Sequence, residues 1–446
     1  MDNDIIVSIA TCTCGNGALG IIRTSGKGSI DLVNKFVTIN LLERKDHTIN
    51  LCNFLDEDKN ILDEVLVLLF FDGHSYTKEE SVEISCHNSI YILETIIKIL
   101  IKNGARMATN GEYTRRAYLN GRFDLIQAES VADLIASKNK SAHDIAINQM
   151  KGGLSNEIDK IKQEVIDIGS QIETNIEFTE EDIEREDKQK LIEKITSVEN
   201  KINKMLNSFS KGEAIKKGLP IAIIGKPNVG KSSLLNALLN EDRVIVSPIA
   251  GTTRDAIDAE IKIGNINCRF IDTAGLRNNS TDFIENIGIE ITKKTIDKAA
   301  LILFVIDVNM TSDDYKEELN IIKASNKDYL LIVNKIDLNE SYKIENENHI
   351  YISAKNNIGI DKIKEYIKEK YKIKEDESII NLRHFEIFTK IINNIEKIKT
   401  LLQNNSPEEI IMIEINSILE EFKKINNKNS SEEILDNIFS KFCIGK

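Results

Sequence analysis

At 446 residues the chain is too long for one compact core and suggests about three domains. Its composition, 41% hydrophobic and 29% charged, is that of an ordinary soluble protein, and no stretch approaches the roughly 18 consecutive apolar residues of a membrane helix. A formal charge of −13 argues against indiscriminate nucleic-acid binding, which relies on phosphate neutralisation, but leaves room for a local basic site.

The acidic start, MDNDIIVSIA, has no basic segment before an apolar core, so no signal peptide is expected. Six cysteines in a chain this size form no disulfide framework and fit a reduced, cytoplasmic protein. Over 1–120 short strands and helices mix. IIVSIA, LGIIR, EVLVLLFF and SVEIS predict strands joined by turn-like CGNG, TSGKG and FDGHS, and Ser89–Lys102 is apolar at helical spacing. Residues 124–210 read almost wholly as helix. Leu191, Ile195, Val198, Ile202 and Met205 recur at 4-3-4-3 spacing, a stripe for helix packing. The acidic run 177–188 reads as a solvated helix start or loop.

From about 219 to 372 the pattern alternates. LPIAII, RVIV, INCRFID, LILFVID, YLLIVN and HIYIS predict strands; SSLLNALL, ENIGIEITKKTI and IDKIKEYIKEKY predict helices. That is an α/β signature with a largely parallel sheet. After 376 helices resume, with Phe388, Ile391, Ile395, Ile398 and Leu402 on one face. Ser430 and Glu433 look like a capping box. The economical reading is one helical domain with the α/β domain inserted into it.

GKPNVGKSS starts at Gly225, after a predicted strand and before a predicted helix. This is the G-x-x-x-x-G-K-[ST] phosphate loop in its required setting. Gly225 and Gly230 let backbone N–H groups turn toward phosphate oxygens, Lys231 reaches the β/γ-phosphates, and Ser232 can ligate Mg²⁺. GTTRD supplies Thr253 for the Mg²⁺ shell. DTAG supplies Asp272, through water, and the Gly275 N–H. In NKID, Asp337 can accept both guanine N–H groups, and the SAK backbone (353–355) can reach the guanine carbonyl oxygen. Five elements in this order make a guanine nucleotide-binding domain.

The residue after DTAG is Leu276, which cannot position a water, so hydrolysis needs another group. Glu285 can act as base or through a bridging water; equally, it can be a solvent-facing glutamate at a helix start. Asn228 can offer its carbonyl to a cation or simply form the turn after Pro227. Cys12, Cys14, Cys86 and His87 do not have zinc-site spacing. The terminal FCIGK lacks the polybasic stretch and apolar last residue of a prenylation box.

GKPNVGKSSLLNAL, SPIAGTTRD, IDTAGLR with IGIE behind it, and FCIGK together resemble the MnmE (TrmE) family of tRNA-modification GTPases. GNGALGIIRTSG, HSYTKEESVEISCH and NGEYTRRAYLNGRFDLIQAESVADLI extend the likeness along the whole chain. The resemblance implies a multidomain α+β and α/β protein. An N-terminal α+β tetrahydrofolate-binding and dimerisation domain spans 1–120. A discontinuous all-α domain spans 121–215 and 376–446, and an inserted Ras-like P-loop GTPase domain spans 216–375.

It further implies a homodimer that forms a heterotetramer with the flavoprotein MnmG (GidA) and acts on tRNA, not on DNA or a membrane. MnmG alone would bring FAD and NADH. The product is an aminomethyl or carboxymethylaminomethyl group at carbon 5 of the wobble uridine, with a folate one-carbon donor (5-formyl- or 5,10-methylene-tetrahydrofolate). The alternative is a ribosome-assembly GTPase switch, which predicts a basic C-terminal module; residues 376–446 instead carry many Glu.

By the resemblance, K⁺ ligands fall on Asn228, Ser247, Ile249 and Thr252, and Mg²⁺ ligands on Ser232 and Thr253. Glu285 becomes the catalytic glutamate beside Lys231 and Asn228. GTP contacts fall on Asn228, Val229, Gly230, Lys231, Ser232 and Ser233, then on Ser247, Pro248, Ile249, Ala250, Gly251, Thr252 and Thr253. They continue on Asp272, Thr273, Ala274 and Gly275, and on Asn334, Lys335, Asp337, Ser353, Ala354 and Lys355. Folate contacts fall on Arg23, Glu83, Arg122 and Lys446: a glutamyl tail wants Arg or Lys, a pterin edge a carboxylate. The chain departs from the family with Cys86-His87-Asn88-Ser89 where C-H-G-G is usual, and with Arg122 where Lys is common.

Overall fold

The computed structural model describes residues 4–11, 17–177, 188–241, 259–271, 295–339, 342–344, 348–371, 379–426 and 432–445. The chain divides into two units, 1–135 with 148–163 and 416–446, and 136–147 with 164–415.

The first unit is built on six strands: β1 (Ile5–Ile9), β2 (Leu19–Ser25), β3 (Ile49–Leu55), β4 (Ile61–Phe70), β5 (Ser81–His87) and β6 (Ala105–Met107). They lie in the order β3-β4-β5-β2-β1-β6, antiparallel throughout except where β6 runs parallel to β1. Alternation fixes the register of β4: Val65, Val67 and Leu69 are buried while Glu64 and Leu66 face outward. The helix Ile90–Lys102 carries Leu93, Ile96, Ile97 and Leu100 at helical spacing, and these join Val7, Ile22 and Ile84 in the core. The strands expected at 5–10, 19–23, 64–71 and 81–85 all form. β3 and β6 were not anticipated. INLCNFL interrupts its apolar residues with Asn50 and Asn53, and among its seven only Cys52 and Phe54 are buried, as befits an edge strand.

In the second unit the chain runs as helix over 164–177 and 188–217 and returns as helix over Leu382–Gln403. The stripe from Leu191 to Met205 is buried, and so is the facing row Phe388, Ile391, Ile395, Ile398 and Leu402. Helices 188–217 and 382–403 pack along each other, with the rings of Phe209 and Phe385 stacked at 4.6 Å and Lys399 paired with Glu199. A Cβ at Gly212 would sit 2.1 Å from Ile379 Cγ2, so only glycine allows that approach.

Between those helices lies a second sheet: β7 (Leu219–Ile224), β8 (Ala259–Ile263), β9 (Ile266–Phe270), β10 (Leu301–Asp307), β11 (Asp328–Asn334) and β12 (His349–Tyr351). Its order is β12-β11-β10-β7-β9-β8, parallel apart from the β8–β9 hairpin. Leu301 to Ile306 are all buried, because helices cover both faces of a parallel sheet and leave no solvent side for polar alternation. The helices expected at 232–239 and 360–371 form as Lys231–Glu241 and Ile360–Lys370. The expected strand RVIV, most of the expected helix 285–296, and Ser430 of the capping box lie outside the described residues. Among the described residues no helix is long and apolar enough to cross a membrane.

Candidate functional site

β7 delivers the chain to Gly225 at the carboxyl edge of the parallel sheet, where ligands of such sheets bind. Gly225 has φ 152°, and a Cβ there would lie 2.2 Å from Val305 O. Asn228 adopts φ 65° and stays exposed; Gly230 has φ 98°. The loop thus uses three left-handed residues to curl before Lys231 opens the helix, whose N-terminus carries the positive end of the helix dipole. Lys231 Nζ donates to Gly225 O at 2.7 Å and to Lys226 O at 2.8 Å, so the ammonium spans the loop from inside. Burial pushes its pKa down. Ser232 follows on the same helix turn and Ser233 is exposed beside it.

Asn334, at the end of β11, is buried and ties three motifs together. Its Nδ2 donates to Val229 O at 2.9 Å, and its Oδ1 accepts from Ala354 N–H at 3.0 Å. A Cβ on Gly230 would meet Asn334 Nδ2 at 2.1 Å, so the phosphate loop and the guanine motif touch through a glycine. Ser353 Oγ donates to Asp337 Oδ1 at 2.5 Å, and this bond holds the exposed Asp337 carboxyl below its ordinary pKa. Lys335 pairs with Asp307 at 2.9 Å, and Lys355 is exposed on the SAK turn. The bridging part played by Asn334 escaped the sequence reading. It depends on contacts 105 and 20 residues away, which no local pattern encodes. Ser247, Pro248, Ile249, Ala250, Gly251, Thr252, Thr253, Asp272, Thr273, Ala274, Gly275 and Glu285 lie outside the described residues, as does Lys446.

The first unit holds a cavity of about 250 Å³ lined by Arg23, Glu83 and Arg122, with Tyr76, His74 and Phe70. Antiparallel pairing of β2 with β5 sets Arg23 opposite Glu83, and their side chains form an ion pair at 2.6 Å. Arg23 stacks over Tyr76 and Tyr113, with its guanidinium carbon 5.7 and 5.6 Å from the ring centres. Arg122 lies over Tyr76 at 4.9 Å and donates to Ser75 O at 2.9 Å. Tyr113, fully buried, donates to Arg23 O at 2.7 Å and accepts from Ser8 Oγ at 3.2 Å. Neither tyrosine was singled out from sequence.

The C-terminal segment reaches this cavity. The helix Glu432–Phe439 packs on Glu112–Leu119, Phe442 is buried beside Tyr118 and Leu125, and Gly445 O accepts from Arg23 Nη1 at 3.3 Å. Cys443 is exposed and free; Cys52, Cys86 and Cys268 are buried, and burial pushes their pKa values up to about 11, 11 and 12. His87 Nδ1 is engaged by Asp63 at 2.7 Å, and Cys12 and Cys14 lie outside the described residues. Gly445 has φ 96°, and a Cβ there would sit 2.8 Å from Ile9 O. Gly445→Val is therefore expected to lift the tail from β1, at a cost of about 1–3 kcal/mol. Faster trimming by carboxypeptidase and a lower unfolding midpoint would register it; a tail as resistant as in the parent chain would count against the docking.

A phosphate loop between strand and helix on a parallel sheet, joined through Asn334 to a carboxylate and a backbone turn suited to guanine, defines a P-loop GTPase. The TrmE N-terminus of GTP-binding proteins matches residues 5–122, and the MnmE helical domain matches residues 125–443. The chain is 43% identical to the tRNA modification GTPase MnmE of Flavobacterium johnsoniae, covering 100% of both chains. It is 42% identical to that of Cytophaga hutchinsonii, over 99% of this chain and 98% of the other. A solved variant of Aquifex aeolicus Era bound to GDP.AlF4- is 30% identical over 39% of this chain and 66% of that one, at a TM-score of 0.27, too low to bear on the fold. The chain belongs to the MnmE family of tRNA modification GTPases.

Proposed function

We propose that this chain is a K⁺-activated GTPase that modifies tRNA as a homodimer with the flavoprotein MnmG. It adds an aminomethyl or carboxymethylaminomethyl group to carbon 5 of the wobble uridine, with a one-carbon unit taken from a tetrahydrofolate. The carrying observation is that one chain, matched to this family from end to end, holds both a phosphate loop and a cavity lined by two guanidiniums and a carboxylate. The domain reading goes with it: helical 121–215 and 376–446, GTPase 216–375, folate and dimer contacts in 1–120. Its support is that the chain leaves the packed helix pair at 217 and re-enters it at 382, with the nucleotide sheet between.

The cavity's chemistry suits a folate. Glu83 can accept from a pterin's N–H edge, Tyr76 offers a ring face, and Arg23 or Arg122 can bind a glutamyl carboxylate. At about 250 Å³ it falls below the ~300–1,000 Å³ of sites that enclose a whole ligand, so it takes the ring end and leaves the tail at the rim. Lys446 follows Gly445 and would add a cation there.

In the GTPase domain, Lys231 holds the β/γ-phosphate oxygens, and Ser232 offers its hydroxyl to Mg²⁺ with Thr253. Asn228 is exposed on the outer turn of the loop, and its carbonyl oxygen is a hard donor that fits a monovalent cation. Bound K⁺ would supply positive charge beside the β/γ-phosphates. Ser247, Ile249 and Thr252 complete its ligands, and Glu285 directs the attacking water.

GTP hydrolysis in KCl is expected to exceed that in NaCl by about tenfold or more, and Asn228→Ala is expected to remove the difference. Equal rates in both salts would sink the cation mechanism. Fully modified wobble uridine in tRNA from a deletion strain would sink the modification assignment.

A further inference from the structure

Asp46, His47 and His74 belong to the first unit, and their ligating atoms all fall within 4.8 Å of one another. We infer that these three side chains form a binding site for a divalent transition-metal ion of the zinc class, at the rim of the charged cavity. Asp46 and His47 precede β3, and His74 lies in the turn after β4. The β3–β4 pairing brings the two turns together. Asp46 Oδ2 is the hub, 2.9 Å from His47 Nδ1 and 2.5 Å from His74 Nδ1.

The carboxylate is fixed from behind, because its other oxygen accepts from the Phe71 N–H at 2.8 Å. Such outer hydrogen bonds orient a ligand before the metal arrives. Both imidazoles are exposed and can turn without disturbing the core.

Two imidazole nitrogens and one carboxylate oxygen suit Zn²⁺, Co²⁺ or Ni²⁺, whereas Mg²⁺ and Ca²⁺ prefer oxygen alone. An ion here would replace the two nitrogen–oxygen hydrogen bonds with metal–ligand bonds to the Nδ1 lone pairs, the single proton of each neutral ring moving to Nε2. Three protein ligands leave a coordination position open. His74 lines the cavity as well, so that position is within reach of a carboxylate or carbonyl lodged there.

The test uses the full-length chain without nucleotide at about pH 8, where free imidazoles are neutral. Calorimetric titration with ZnCl₂ and visible absorption with CoCl₂ should report one site per chain without a thiolate charge-transfer band. The double variant Asp46→Asn/His74→Gln should bind at least ~10-fold more weakly, while Cys443→Ser should change nothing. Unchanged affinity in a folded double variant overturns the proposal, and so does a site lost with Cys443→Ser. Should the double variant fail to fold, imidazole proton signals of the parent chain decide, since it has only six histidines. Zinc must shift those of His47 and His74, and their indifference overturns the site.

Discussion

Lys231→Ala is expected to lower GTP turnover by at least ~100-fold, about 2.7 kcal/mol of transition-state stabilisation. The loop shows how the ammonium is placed. It bridges Gly225 O and Lys226 O, at 2.7 and 2.8 Å. Phosphate oxygens entering that curl meet the same ammonium, now as a charge-assisted donor. Desolvation lowers its pKa, which marks a cation whose charge is costly until an anion compensates it. Lys231→Arg should not rescue, because a planar fork cannot enter a bracket of two loop carbonyls built for a compact ammonium. Phosphate release at saturating nucleotide, with folding checked by thermal melting, reads the effect. Turnover within about threefold of the parent would remove Lys231 from the chemistry.

The phosphate loop was readable from sequence because its physics is local: a strand, a glycine curl and a helix start occupy consecutive residues. The helical stripe from Leu191 to Met205 was readable for the same reason, since periodicity states which face is buried. The cavity was not. Arg23 and Glu83 are 60 residues apart and meet only because β2 and β5 pair in one register, while Tyr113 enters from a helix 90 residues beyond Arg23. Resemblance named Arg23, Glu83 and Arg122, but no residue pattern did. Gly445 illustrates the other gap. Its value lies in what it lets approach, the backbone of Ile9 and Ala10, and a glycine in a terminal pentapeptide gives no sign of that. The strand at 49–55 was missed because edge position relaxes the demand for apolar residues, while 259–263 alternates regularly but is only five residues long.

Asp337→Asn is expected to exchange the preferred base from guanine to xanthine. A carboxylate offers only acceptors, and guanine's edge offers a ring N–H and an exocyclic amine, so both bonds run the same way. Ser353 Oγ, 2.5 Å away, fixes Oδ1 and keeps the group ionised, and Asn334 anchors the whole turn to the phosphate loop through Val229. An amide in place of the carboxylate keeps one acceptor and presents an N–H to the exocyclic amine, donor against donor. Losing one charge-assisted bond and creating that clash should reduce kcat/KM for GTP by about 100-fold or more. Xanthine has a carbonyl at that carbon, which the new amide can serve, so xanthosine triphosphate should become the better substrate. The phosphate end is untouched, and the change should fall mainly on KM. Measuring kcat and KM for both nucleotides in parent and variant separates the outcomes. A variant that still prefers GTP would mean that the base is held elsewhere, while equal loss of both would mean that the turn, not the hydrogen-bond pattern, had failed.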